Sequence, residues 1–268
     1  MSILVLAFLT AWQGGGALEA LAKKEAPSLG ALYQDLHRSP EISYQESATA
    51  KRIASELRGA GFTVAENCGK FPDSTPPREG HGVVGVLRNG AGSTILVRTD
   101  LDALPVEEKT GLPYASRARA KNDSGEEVGA MHACGHDMHM SVFVGTARVL
   151  AASRDRWHGT LVFVGQPAEE RAPGGAEALL RDGLYTKYPK PDACFALHCN
   201  LGLEAGKMGI VPGYALANAD TVDITVRGRG GHGSRPEATK DPIVLAAQIV
   251  VSLQTLVSRE VPPGSRRS

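Results

Sequence analysis

Three apolar runs in this chain each stop at side chains that can do chemistry. STILVRTDLD (93–102) ends in Asp100 and Asp102, GTLVFVGQPAEE (159–170) in Glu169 and Glu170, and ACFALHCN (193–200) runs into His198. The first two are dense in β-branched and apolar residues, as strands buried on both faces are. From Met138 onwards the segment between them has the apolar spacing of a helix, with Asp137 placed at its N-cap. Strand, helix and strand in that order make an α/β fold with a mixed, largely parallel sheet and helices on both faces. In such a sheet the crevice lies beyond the carboxyl ends of the strands, where these polar groups fall.

The remaining elements are read around this frame. ALYQDLHRSP (31–40) and SYQESATAKRIASELRGAGF (43–62) read as helices; the second carries Ala48, Ile53, Ala54 and Leu57 on one side and ends at Gly59 and Gly61. GKFPDSTPPREGHG (69–82) is a loop, and 82–105 reads as two strands around the turn Asn89-Gly90. Residues 115–130 form a polar loop. From about Asp220, TVDITVRGRGGHG alternates like a half-exposed strand, and 241–259 is an apolar-striped helix. A domain boundary is expected near 219. Two elements alone do not bury a sheet-and-helix core, so 220–268 reads as an incomplete domain.

Composition narrows the function. Apolar residues make up 42% and charged residues 22% of the 268-residue chain, ordinary values for a chain with a real core. The formal net charge is zero and no basic stripe exists, which argues against nucleic acid. ILVLAFLTAW (3–12) is too short to span a bilayer and matches the apolar core of a secretory signal, so residues 1–20 are expected to direct export, with a cytoplasmic chain as the alternative. No membrane span is expected. Gly228 to Gly233 fits G-x-G-x-x-G, but SRPEATKDP separates it from the next helix, so dinucleotide binding is rejected.

MHACGHDMH (131–139) supplies the remaining donors. Cys134 and His136 flank one glycine, so both side chains can turn to a common point. Thiolate, imidazole and carboxylate together favour Zn, Co or Mn over Ca or Mg. A lone Cys-x-His is weak evidence of a metal, since buried cysteines are common. The glutamate pair strengthens it: one carboxylate can hold an ion while its neighbour takes a proton from water. Asp100 and Asp102 can orient ligating histidines from behind, or serve as caps and turn residues.

RTDLDALPVEEKTGLPY, MHACGHDMH, GQPAEE, ALH and GGHGSRPEATKDPI, in that order, resemble the amidohydrolase branch of the aminoacylase/carboxypeptidase metallopeptidase family. The resemblance runs from about residue 30 to 258. It implies a zinc-peptidase-like catalytic domain over 21–219 and the start of an inserted α+β lid over 220–268, through which family members dimerise. It also implies two divalent ions held by Cys134, His136, Glu170 and His198, with Glu169 as general base. His232 matches a lid histidine that contacts the substrate carbonyl. The implied substrates are N-acyl amino acids. Ser234-Arg235-Pro236-Glu237 departs from the usual lid motif. The family's last histidine ligand has no counterpart here, which leaves a catalytically inactive fragment, binding metal or a protein partner, as the alternative.

Overall fold

The computed structural model describes residues 15–72, 77–213 and 222–261. Contacts divide the chain into two units, Met1–Asn200 and Leu201–Ser268. The apolar run 3–12 lies outside the described residues.

The first unit is built on a five-stranded sheet. Its strands are β1 (Thr63–Cys68), β2 (Gly82–Asn89), β3 (Thr94–Asp100), β6 (Gly159–Gln166) and β7 (Ala193–Phe195), in the spatial order β1-β2-β6-β3-β7. β6 runs antiparallel to β2 and parallel to β3, and β3 runs parallel to β7. β6 is buried at every position, as a central strand covered on both faces must be.

The two faces are covered by different helices. Leu161 and Phe163 of β6 enter the larger core with α1 (Gly15–Arg38), α2 (Ser47–Gly59) and α3 (His136–Ala152), through Leu32, Ile53, Leu57, Met140 and Phe143. Val162 and Val164 point the other way, to Leu179 of α4 (Gly175–Arg181) and Leu184 of α5 (Leu184–Lys187). The alternation along one strand thus fills two cores. The aromatic rings of Phe62 and Phe143 both lie against Phe163, at centroid distances of 4.9 and 4.8 Å.

Several expectations need correction. β2 and β3 do not form a hairpin around Asn89-Gly90, because β6 lies between them. Asn89 instead donates its side-chain amide to the carbonyls of Arg154 and Trp157, tying the turn to the segment that brings β6 in. The first helix begins at Gly15 and passes through Pro27. In α2, Ala48 is exposed and Ala50 is buried instead. The set Ala50, Ile53, Ala54 and Leu57 has the helical spacing i, i+3, i+4, i+7, which Ala48 does not share. Within the polar loop, β4 (Arg119–Lys121) and β5 (Glu127–Gly129) pair as a small hairpin. Helix α3 starts at His136, two residues earlier than Met138, with Gly135 rather than Asp137 at the N-cap.

In the second unit, 222–228 form no strand among the described residues; a single antiparallel bridge among them joins Arg229 to Lys240. A strand is defined by its pairing, and the sequence pattern alone does not supply a partner. Helix α6 (Pro242–Thr255) is capped by Asp241, whose carboxylate accepts from the N–H groups of Ile243 and Val244. The helical stretch Pro242–Glu260 is long and apolar enough to cross a membrane by length and composition.

Candidate metal centre

Parallel strands deliver their carboxyl ends to one edge, and β3, β6 and β7 are mutually parallel through β3. The chain leaves β3 for β6 on one side and later reaches β7 on the other, so the crevice opens at the end of β3. The loops after these strands carry Asp102, Glu169–Glu170 and His198, and the N-terminus of α3 brings Cys134 and His136. Gly135 makes this junction in the left-handed region (φ 81°). A Cβ there would stand 2.9 Å from Cys199 Sγ, so glycine serves both the turn and the close approach.

Donor atoms converge as three overlapping groups around His136, each with all atoms within 4.8 Å of one another. They are Cys134 with His136 and His198, His136 with Glu169 and Glu170, and Asp100 with His136 and His139. Cys134 Sγ and His198 Nε2 are 3.3 Å apart. His136 Nδ1 donates to the Asp102 carbonyl oxygen at 2.7 Å, which turns Nε2 inward. That Nε2 stands 3.6 Å from Glu170 Oε1, and both atoms are buried with no hydrogen-bond partner among the described residues. Two buried polar atoms left facing each other are costly unless something lies between them. A gap of 3.6 Å is what two ligand-to-ion bonds of about 2.1 Å can bridge. The residues present therefore fit a divalent transition ion.

The electrostatics are those of a cation site. Burial, with the negative charges of Glu170, Glu169 and Asp100, pushes the Cys134 thiol up to about 12. Burial alone would lower His136, but the hydrogen bonds and charges of Asp102 and Asp100 outweigh it and raise the imidazole to about 9. Burial also raises the Glu170 carboxyl. The protons on Cys134 Sγ and His136 Nε2 must leave before either atom can act as a ligand.

The two aspartates do different work. Asp102 is fully buried; its Oδ2 accepts from the Ser43 hydroxyl at 2.6 Å and from the Glu170 N–H at 3.0 Å. Asp100 hydrogen-bonds His139 Nδ1 at 2.8 Å and pairs with Arg98 at 2.8 Å. Burial opposes its ionisation, yet the His139 bond and the charges of His136 and Arg98 hold the carboxyl at about 2. Glu169 lies at the mouth, its side chain 37% exposed and its Oε2 3.9 Å from His136 Nε2. His232 belongs to the second unit, where its Nδ1 is 2.8 Å from Ser234 Oγ.

Some participants escaped the sequence reading. His139 accepts the Cys199 N–H at Nε2 (2.9 Å) while Nδ1 faces Asp100, so it ties the β3 end to the turn beside His198. Its spacing of three from His136 on one helix was the available signal. Asp137, expected as a cap, meets His37 Nδ1 at 2.6 Å, and His37 Nε2 meets Glu108 at 3.1 Å. Burial would lower His37, but these two carboxylates outweigh it and raise it. No local pattern points to that partnership, since His37 and Asp137 are a hundred positions apart.

The sequence model of peptidase family M20/M25/M40 matches residues 96–266. Hippurate hydrolase of Campylobacter jejuni is 40% identical over 233 residues, covering 87% of this chain and 55% of that enzyme. A crystal structure from methicillin-resistant Staphylococcus aureus superposes with a TM-score of 0.74 at 33% identity, covering 92% of this chain and 60% of that one. The Bacillus subtilis YXEP protein, described as a dinuclear metal binding peptidase of the M20 family, gives a TM-score of 0.53 at 33% identity. It covers 68% of this chain and 44% of its own. The chain spans about half the length of the curated relatives it matches.

Proposed function

The chain belongs to peptidase family M20/M25/M40, and from that premise we propose that it carries the metal-binding half of an amidohydrolase acting on N-acyl amino acids. The observation that carries this reading is the buried pair of partnerless atoms, His136 Nε2 and Glu170 Oε1, inside a cluster of thiol, imidazole and carboxylate donors. Cys134, His136, Glu170 and His198 would hold two divalent ions of the zinc, manganese or cobalt type. When bound, such ions supply Lewis acidity toward water and toward the amide carbonyl.

The chain's own residues do the remainder. Glu169 is the one carboxylate of the cluster at the mouth, so it can take a proton from an attacking water and return it to the leaving amine. Asp102 holds the Glu170 backbone and, through its carbonyl, the His136 ring. Asp100 and His139 steady the turn that presents His198. Hippurate, an N-benzoyl amino acid, is the substrate named for a relative; it is the first compound to try here. In the same reading His232 contacts the substrate carbonyl, residues 220–268 contribute to a homodimer, and residues 1–20 direct export to the periplasm or medium. Gel filtration and N-terminal sequencing of secreted material test the last two.

The deciding experiment is hydrolysis of hippurate and a mixed N-acyl amino acid panel by the 268-residue chain, with and without added zinc or manganese, beside Glu169→Gln. Metal-dependent turnover that falls about 10²-fold or more in Glu169→Gln supports the reading. Metal uptake without turnover would reduce the 268 residues to a binding scaffold. Absence of metal uptake from folded protein would overturn the metal centre itself.

A further inference from the structure

Glu46 is fully buried, yet nothing in the proposed chemistry uses it. It stands at the N-cap of α2, but its side chain makes no capping bond. That task falls to Glu41, whose carboxylate accepts from the N–H groups of Ala48 and Thr49 at 3.2 and 2.7 Å. Glu46 instead reaches across the fold. Its Oε1 accepts the Ala168 N–H at 2.7 Å and the Tyr44 N–H at 2.9 Å.

Both partners are residues in a conformation that side chains avoid. Ala168 has φ 44° and Tyr44 has φ 69°, in the left-handed region where a non-glycine residue is strained. Such strain persists only where the surroundings over-determine it. Here one carboxylate oxygen holds both backbones. Ala168 is further fixed by its buried side chain beside Phe71 and Ala178, and by its carbonyl, which accepts from Gly175 N–H at 3.0 Å.

Ala168 immediately precedes the glutamate pair. Glu170 N–H is held by Asp102, so the Pro167–Ala168 and Glu169–Glu170 peptide groups are each tied to a buried carboxylate. The segment Ser43–Glu46 serves both ties, since Ser43 donates to the same Asp102 oxygen that accepts from Glu170. We propose that Glu46 is a positioning residue: it clamps the backbone at Ala168 and thereby aims Glu169 and Glu170 into the metal centre. This rests on the function proposed above, but the clamp is a property of the metal-free chain and can be tested there. Glu46 Oε2 has no partner among the described residues, and burial pushes the carboxyl up to about 7. A single accepting oxygen therefore suffices, and an amide can supply it.

The test compares the wild-type chain, Glu46→Ala and Glu46→Gln by hydrogen–deuterium exchange and by cobalt titration. In Glu46→Ala, exchange in a fragment spanning 164–172 should speed up about tenfold or more while α3 keeps its wild-type rate. Cobalt affinity should fall by roughly 10-fold, the lower end for residues that support metal ligands. Glu46→Gln should restore both to within about twofold, because it keeps the accepting oxygen. Unchanged exchange at 164–172 in Glu46→Ala would overturn the clamp. Equal acceleration in α3 would do so too, since it would show a merely structural residue, and a Gln variant as impaired as Ala would remove the acceptor argument. If the wild type takes up no cobalt, the metal reading fails and the exchange data alone decide the clamp.

Discussion

At the scale of single residues, the centre is a set of polar side chains, most of them buried, held by defined neighbours. Glu46 shows what such burial does to stability. Its carboxyl is raised from 4.5 to about 7, chiefly by desolvation, so the folded chain holds this proton more tightly than the unfolded chain. The stabilisation linked to that proton is complete below about pH 4.5 and is lost as pH rises through about 7. Across that window the slope from this group approaches about 1.4 kcal/mol per pH unit. Urea denaturation at a series of pH values should show Glu46→Gln losing this component, with its stability gaining on the wild type as pH rises; parallel curves would show that Glu46 is not the titrating group. His136, Cys134 and the glutamate pair were legible as candidate donors from residue type and spacing, whereas the choice of Glu170 over Glu169 rested on the family resemblance. Glu46 and His37 were not legible, because each takes its meaning from a partner far along the chain.

The elements show a similar division. The apolar runs of β3 and β6 announced buried strands, and the helical spacing of α2 and α3 was readable in outline. Their pairing order was not, because Asn89-Gly90 is a hairpin signal and only the bonds from Asn89 to Arg154 and Trp157 reveal what the turn does. β6 is the element on which the fold depends most, pairing on both edges and packing on both faces. Phe163 is completely buried between Phe62 and Phe143. Replacing it by alanine should cost about 3–5 kcal/mol, measured as a shift in the urea midpoint at constant m-value. A loss under about 1 kcal/mol would mean that the neighbouring rings refill the space.

For the molecule as a whole, the first unit contains the sheet, both cores and the donor cluster, whereas the second contributes a capped apolar helix and the loop of His232. Metal binding should therefore be linked to the stability of the first unit. At a free zinc concentration of about 100 times the dissociation constant, its unfolding free energy should rise by about 2.7 kcal/mol, and excess chelator should abolish the gain. Denaturation curves that coincide with and without metal would contradict the proposed centre.

The order of motifs, the α/β class and the identity of most donors could be derived from the sequence by itself, because periodicity and ligand chemistry are local properties of residue type and spacing. Tertiary structure alone decided that β6 divides β2 from β3, that Gly135 rather than Asp137 caps α3, and that Asp100 takes His139 as its close partner. It also decided that buried carboxylates hold the backbone on either side of Glu169. These outcomes depend on contacts between segments that meet only when the sheet closes. A strand's pattern states which faces are buried, but its hydrogen-bonding edges are the same in every strand and do not name a neighbour.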